Sequence, residues 1–209
     1  CNTCTMRMDE KNLPLGLDGF IINVTEQKEI EKELFWESHF NMTYAELSQA
    51  LIQSLSIDDM SYLILEYSKN LTNSVYGYVG YIDSVTGNLT CSTMTKEIWQ
   101  ECQIKDKDAV FTKYCGLWGW VLNNRKSMIC NDPKNDFRSG GLPDGHIAIN
   151  RFLSAPVIIN NKLVGQIALA NSEHDYSTKD LFLVERLALL YALALERKQN
   201  ENQLIKFSK

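Results

Sequence analysis

The stretch KLVGQIALANS, residues 162 to 172, limits the fold more than any other part of the chain. It alternates as a strand does, and both alternating sets are largely apolar. Leu163, Ile167 and Leu169 point one way; Val164, Ala168 and Ala170 point the other. A sheet that is apolar on both faces must be covered on both. Two helix-period segments precede the first strands and a long one follows the last, so helices supply one cover. The intervening segment, residues 95–150, must supply the other. Its glycines and proline favour turns over regular core structure, and that predicts a loop-roofed pocket on this face.

The elements fall in order as helix, helix, hairpin, crossover with a short helix, strand, hairpin, helix. That order predicts an α+β domain built on an antiparallel sheet. The first hairpin turns at Thr86, Gly87 and Asn88, the second at Asn160 and Asn161. GLWGWVLNN reads as the short helix, with a turn at Asn123 and Asn124. Before the sheet, TYAELSQALIQSL and DDMSYLILEYSKNLT read as separate helices, with Asp58 or Asp59 capping the second. The last helix starts at Ser177 or Thr178 with Asp180 and runs to about Leu204. Its apolar run from Leu181 to Leu195 is broken by Glu185 and Arg186, too short and too charged for a membrane span.

Residues 1–24 read as a strand hairpin with its turn between Asp9 and Pro14. EQKEIEKELFWESH follows as a charged helix, capped by Asn23 or Thr25. Two strands bury no core alone, so this piece is expected to close a domain whose front lies upstream. The run Gly19-Phe20-Ile21-Ile22-Asn23-Val24-Thr25-Glu26-Gln27-Lys28, with Glu31 and Leu34, resembles the C-terminal edge of a PAS sensor domain. Asn23 stands where those domains usually carry aspartate. The resemblance implies a PAS remnant over residues 1–24 and a linking helix over 25–39.

Four further motifs occur in order: GLWGWVL from Gly116, NDP from Asn131, GLPDGHIAINRFLSAPV from Gly141 and LVGQIALAN from Leu163. With the closing segment DYSTKDLFLVERLALLYALALER they resemble a GAF domain, nearest to those of bacterial and archaeal sensor histidine kinases. The resemblance implies a GAF domain over residues 40–198, an exit helix over 199–209 toward an output domain, and a small-molecule sensory role. Some archaeal members of this group carry haem, with a cysteine as tether and a histidine on the iron. The residues at comparable places are Cys102 and His146. No Cys-x-x-Cys-His attachment motif accompanies them.

The residues themselves leave alternatives open. His146 follows Gly145 and precedes a strand; it either bonds its own loop backbone and holds the turn, or meets a ligand through a neutral imidazole. Cys102 reads as a small buried hydrophobe or as a tether. Leu117, Trp118 and Arg138 are candidate ligand contacts. Trp99 and Trp120 are candidate pocket walls, and Arg151 is a second cation for an anionic ligand. Arg138 otherwise reads as a solvated loop charge. His39 and His174 read as surface residues, and Cys1-x-x-Cys4 has no second pair to make a zinc site.

The formal charge of −5 and the lack of basic clusters argue against nucleic-acid binding. The six scattered cysteines read as reduced cytosolic thiols. The chain begins at Cys1 without a recognisable leader and reads as a cytoplasmic excerpt of a longer protein. No phosphate-binding loop, dinucleotide glycine pattern, zinc helix or nucleophile elbow is present, so catalysis is not expected. The last helix, apolar nearly all round between Leu181 and Leu195, predicts a homodimer through the terminal helices.

Overall fold

Asp9 closes the first turn with its side chain: Oδ1 accepts from Lys11 N at 2.9 Å and Leu13 N at 2.7 Å. Around it pair β1, Asn2–Met8, and β2, Pro14–Ile21, antiparallel. The computed structural model describes residues 2–21, 23–53, 55–91, 93, 110–140 and 145–207. They form two compact units, residues 1–46 and 47–209.

Asn23 Oδ1 accepts from Thr25 N at 3.0 Å and opens α1, Thr25–Ile52. The two helical segments expected on either side of residue 40 are one continuous helix. SHFNMTYA between them contains neither glycine nor proline, and Trp36, Phe40 and Tyr44 stack at i,i+4 with centroids 6.0 and 5.7 Å apart.

In the second unit, α2 spans Ile57–Thr72. Its cap is Ser56 and not the aspartates expected from the sequence. Ser56 Oγ accepts from Asp59 N, and Asp59 returns a carboxylate to Ser56 N. A carboxylate three residues past a serine cap is better placed for this reciprocal role than for the cap itself. The helix stops at Asn73, which takes the left-handed conformation (φ 50°).

Six strands follow in the spatial order β5-β4-β3-β8-β7-β6, every neighbour antiparallel. They are β3, Ser74–Ile82; β4, Leu89–Thr90; β5, Val110–Phe111; β6, Met128–Cys130; β7, Phe152–Ile159; and β8, Lys162–Ser172. Asp83 shapes the first turn, accepting from Val85 N, Thr86 N and Thr86 Oγ1. Asn160 and Asn161, both at positive φ, make the second.

Register sorts the sheet residues into two faces. Gly77, Val79, Leu153, Ala155, Ile167 and Leu169 share one. On it pack α2 and α4, Thr178–Phe207, burying Ile64, Leu65, Leu183, Leu187 and Tyr191. Tyr78, Phe152, Ser154, Gln166 and Ala168 share the other. Against these packs α3, Gly116–Asn124, through Leu117 and Val121. The two-sided apolar strand is therefore covered twice, and the cover on the second face includes a packed helix as well as loops. Among the described residues no helix is long and apolar enough to cross a membrane.

Candidate functional site

The site is built outward from α3. No side chain caps this helix at Cys115. Gly116, at φ 64°, turns the chain into it, a conformation open to glycine at little cost. Gly119 lets the helix lie against Tyr114: a Cβ there would fall 2.2 Å from the Tyr114 carbonyl carbon. Asn123 Nδ2 donates to Tyr114 O at 3.1 Å, and Tyr114 OH donates to Gly87 O at 2.7 Å. Helix, preceding loop and first hairpin turn are thus stitched together.

Beneath α3 lies a buried polar set. Tyr78 OH donates to Gln166 Oε1 at 3.0 Å. Gln166 Nε2 donates to Trp118 O and to Ser154 Oγ, both at 2.9 Å. Gln166 is fully buried; both its amide hydrogens and one lone pair of its oxygen are used. Burial pushes the Tyr78 hydroxyl well above its ordinary range, which keeps it a donor. Among the described residues, side chains fill the centre of this face.

Among the described residues, open ground lies at the edge of α3. A shallow groove of about 320 Å³ is lined by Tyr114, Cys115, Gly116, Trp120, Asn123, Asn124, Phe137 and Arg138. Arg138 sits 5.0 Å over the Trp120 ring. Asp136 holds its guanidinium by two bonds, Nε to Oδ1 at 2.8 Å and a terminal nitrogen to Oδ2 at 2.6 Å. Those bonds from Arg138 hold the Asp136 carboxyl below the usual carboxylate range. Phe137 beside them is 93% exposed. Cys130 Sγ donates to Asp136 Oδ2 at 3.2 Å, and burial raises that thiol above its ordinary value.

From this edge, hydrogen bonds run toward α4. Next to Cys130, Asn131 grips the backbone of Tyr176: Tyr176 N donates to Asn131 Oδ1, and Asn131 Nδ2 donates to Tyr176 O. Ser177 follows and caps α4 in a reciprocal pair with Asp180. Tyr176 OH bonds Ser74 Oγ, which bonds Thr72 Oγ1. Burial raises the Tyr176 hydroxyl to about 12. Asn171, at φ 59°, anchors the loop before β7. It accepts from Asn150 N and donates to Ala148 O, both at 2.8 Å.

The structure separates the candidates named from the sequence. Arg138 lines the groove as a partly buried, paired cation, unlike the solvated charge expected. Trp120 lines the groove too. Leu117 faces the core with Met128 and Phe152, and Trp118 packs among Tyr78, Phe111 and Tyr114. Arg151 is spent on Asp175 at 2.7 Å. His39 and His174 are exposed. Cys102 and Trp99 lie outside the described residues.

His146 is half-buried, with Nδ1 2.7 Å from Ile147 O. A carbonyl only accepts, so Nδ1 carries a proton, and in a neutral ring Nε2 is the nitrogen with the lone pair. That tautomer suits a turn-holding histidine and also a neutral imidazole ligand with its second nitrogen anchored. Among the described residues no cluster of three metal-ligating side chains occurs.

Sequence reasoning missed Asp136, Asn131, Asn171 and Gln166. The signals were present: an Asp-x-Arg spacing, and one amide interrupting an otherwise apolar strand set.

A model of the GAF domain family matches residues 54–196. Over 158 residues the chain is 30% identical to the methyl sulfide methyltransferase-associated sensor of Methanosarcina acetivorans. That match covers 73% of this chain and 16% of that much longer protein. Among solved structures, the GAF domain of a phosphoenolpyruvate-protein phosphotransferase from Coxiella burnetii superimposes with a TM-score of 0.65. The identity is 14%, over 78% of this chain and 96% of that one. Free methionine-R-sulfoxide reductase of Neisseria meningitidis gives 0.61 at 10% identity, over 78% and 91%. With its motifs in order on a six-stranded antiparallel sheet that carries α2 and α4 on one face and α3 on the other, the chain belongs to the GAF domain family.

Proposed function

We propose that this chain is the small-molecule-sensing module of a signal-transduction protein, a sensor histidine kinase in which a PAS domain precedes the GAF domain and an output domain follows. In this reading residues 1–24 are the end of the PAS domain, 25–39 the linking helix, 40–198 the GAF domain and 199–209 the start of the path to the output. The module works in the cytoplasm as a homodimer through its terminal helices and does no chemistry of its own. The observation that carries the reading is the continuous bonded path from Arg138 through Asp136 and Cys130, with the adjacent Asn131, to Tyr176 and the start of α4. A ligand shifts a population only through contacts that differ between states. A groove whose guanidinium is wired to the outgoing helix offers such contacts. The name of the Methanosarcina relative, a sensor, agrees with this.

A second reading, a haem-bearing redox or gas sensor, is favoured by one observation. The His146 ring is anchored at Nδ1 and leaves Nε2 as an iron donor. Haem would supply ligand and redox chemistry at the iron; Cys102 is the candidate tether.

Native mass spectrometry and an absorption spectrum of the purified full-length protein test both. The first reading expects a bound small molecule whose occupancy drops at least tenfold in Arg138→Gln. The second expects a Soret band that shifts in His146→Ala. A protein with no adduct and no visible absorption, even after incubation with haem, is a ligand-free dimerisation and relay module.

A further inference from the structure

At its C-terminal end α1 leaves backbone carbonyls without helical partners, as every α-helix does. Its last turn carries no basic side chain to meet them. The partner comes from α4, 145 positions along the chain. Arg197 donates one terminal guanidinium nitrogen to Ile52 O at 2.7 Å and the other to Gln53 O at 2.9 Å. A planar fork of donors at the negative end of a helix dipole satisfies both the charge and the geometry; a lysine, a single point charge, does not span two carbonyls. The third nitrogen, Nε, is buried and makes no hydrogen bond; it lies at ion-pair distance, 3.3 Å, from Glu201 Oε1. Glu201 is also met by Lys198 Nζ at 3.6 Å. The guanidinium therefore stands between two sets of acceptors, one on α1 and one on its own helix.

We propose that Arg197 is a latch that fastens the end of α1 to α4, with Glu201 as the partner it keeps when the latch is open. A shift of α4 by one helical turn, about 5.4 Å, is more than a hydrogen bond tolerates, so it would release both carbonyls. Glu201 lies one turn away on the same helix and travels with Arg197. Opening the latch thus leaves no stranded charge, and closing it gives a donor to the Ile52 carbonyl and a second donor to the Gln53 carbonyl, which also accepts from Leu55 N at 2.8 Å. The fork to the α1 carbonyls can open while the ion pair with Glu201 persists, and that makes the junction two-state. The latch joins the helix that runs into this unit to the helix that runs out of it.

Hydrogen exchange, read peptide by peptide in the full-length protein, tests the latch. In Arg197→Ala the amides of residues 49–53 should exchange at least tenfold faster than in wild type, with α2 and residues 183–195 of α4 unchanged. Arg197→Lys should not restore the protection. Glu201→Gln, which removes the competing partner, should leave residues 49–53 as protected as in wild type or more so. Unchanged exchange at 49–53 in Arg197→Ala overturns the proposal. So does a uniform rise across the whole unit, which marks a merely structural residue. Glu201→Gln exchanging as fast as Arg197→Ala overturns the role given to Glu201.

Discussion

Gln166 is the only polar side chain between Val164 and Ala170 on its face of β8, and it is fully buried. Replacing it by leucine keeps the volume and leaves the Tyr78 hydroxyl without its acceptor, whereas the Trp118 carbonyl keeps its place in the helix. An unsatisfied buried group costs about 1–3 kcal/mol. Gln166→Leu should therefore lose roughly 1–3 kcal/mol in urea unfolding, one such group being exposed to the penalty. Asp136 makes a second residue-scale case, now with a pH sign. Its folded carboxyl lies below the ordinary value because Arg138 bonds the charged form. The stability it contributes is full above the unfolded carboxylate pKa of about 3.9 and fades as pH falls through the lower, folded value. Asp136→Asn should be less stable than wild type by about 1–2 kcal/mol at pH 7. Melting curves of the two proteins should converge toward the bottom of the acid range; a gap that persists unchanged there contradicts the assignment.

At the scale of elements, α3 shows what a sequence can and cannot reveal. GLWGWVL was legible as a short apolar helix, but the turn expected at Asn123 and Asn124 falls one residue later, at Arg125 (φ 53°), with both asparagines inside the helix. The need for glycine at 119 was not legible, because it arises from a close approach of the Tyr114 backbone that no spacing encodes. Gly119→Ala should push α3 off its seat at a cost of about 1–3 kcal/mol, the usual penalty for overpacking. The change should also flatten the groove, visible as altered quenching of Trp118 and Trp120 fluorescence. Unaltered stability in that variant would show that the loop yields freely. The strands were legible because alternation and Asn or Gly turns act locally. The capping of α2 was half legible: Ser56 and Asp59 stand three apart, yet the roles fall the opposite way from those read. The continuity of α1 was hidden by its changing composition, since nothing in the chain stops a helix there.

At the scale of the molecule, the site was less legible than the fold for a physical reason. Arg138, Asp136 and Trp120 come from a helix and a loop whose proximity is set by packing, and Asn131 and Tyr176 meet across 45 positions. The surface of α4 is the exception, since one helix displays it by itself. Leu183, Leu187, Tyr191 and Leu195 bury one side of the helix. Phe182, Leu189 and Leu193 remain about half exposed, at 47%, 50% and 50%. Their spacings of seven and four place them along one stripe, with the Arg186 guanidinium 5.6 Å over the Phe182 ring. An apolar stripe on a helix already seated by its opposite side suits a second copy of the same helix. Because Leu189 and Leu193 face solvent within one chain, glutamates there should leave the fold intact. The double variant Leu189→Glu, Leu193→Glu should keep the helix content and melting temperature of the isolated subunit. It should sediment as a monomer at micromolar concentration, where wild type sediments as a dimer. A wild-type monomer at that concentration, or a double variant that still dimerises, removes α4 as the interface and leaves the relay to a single chain.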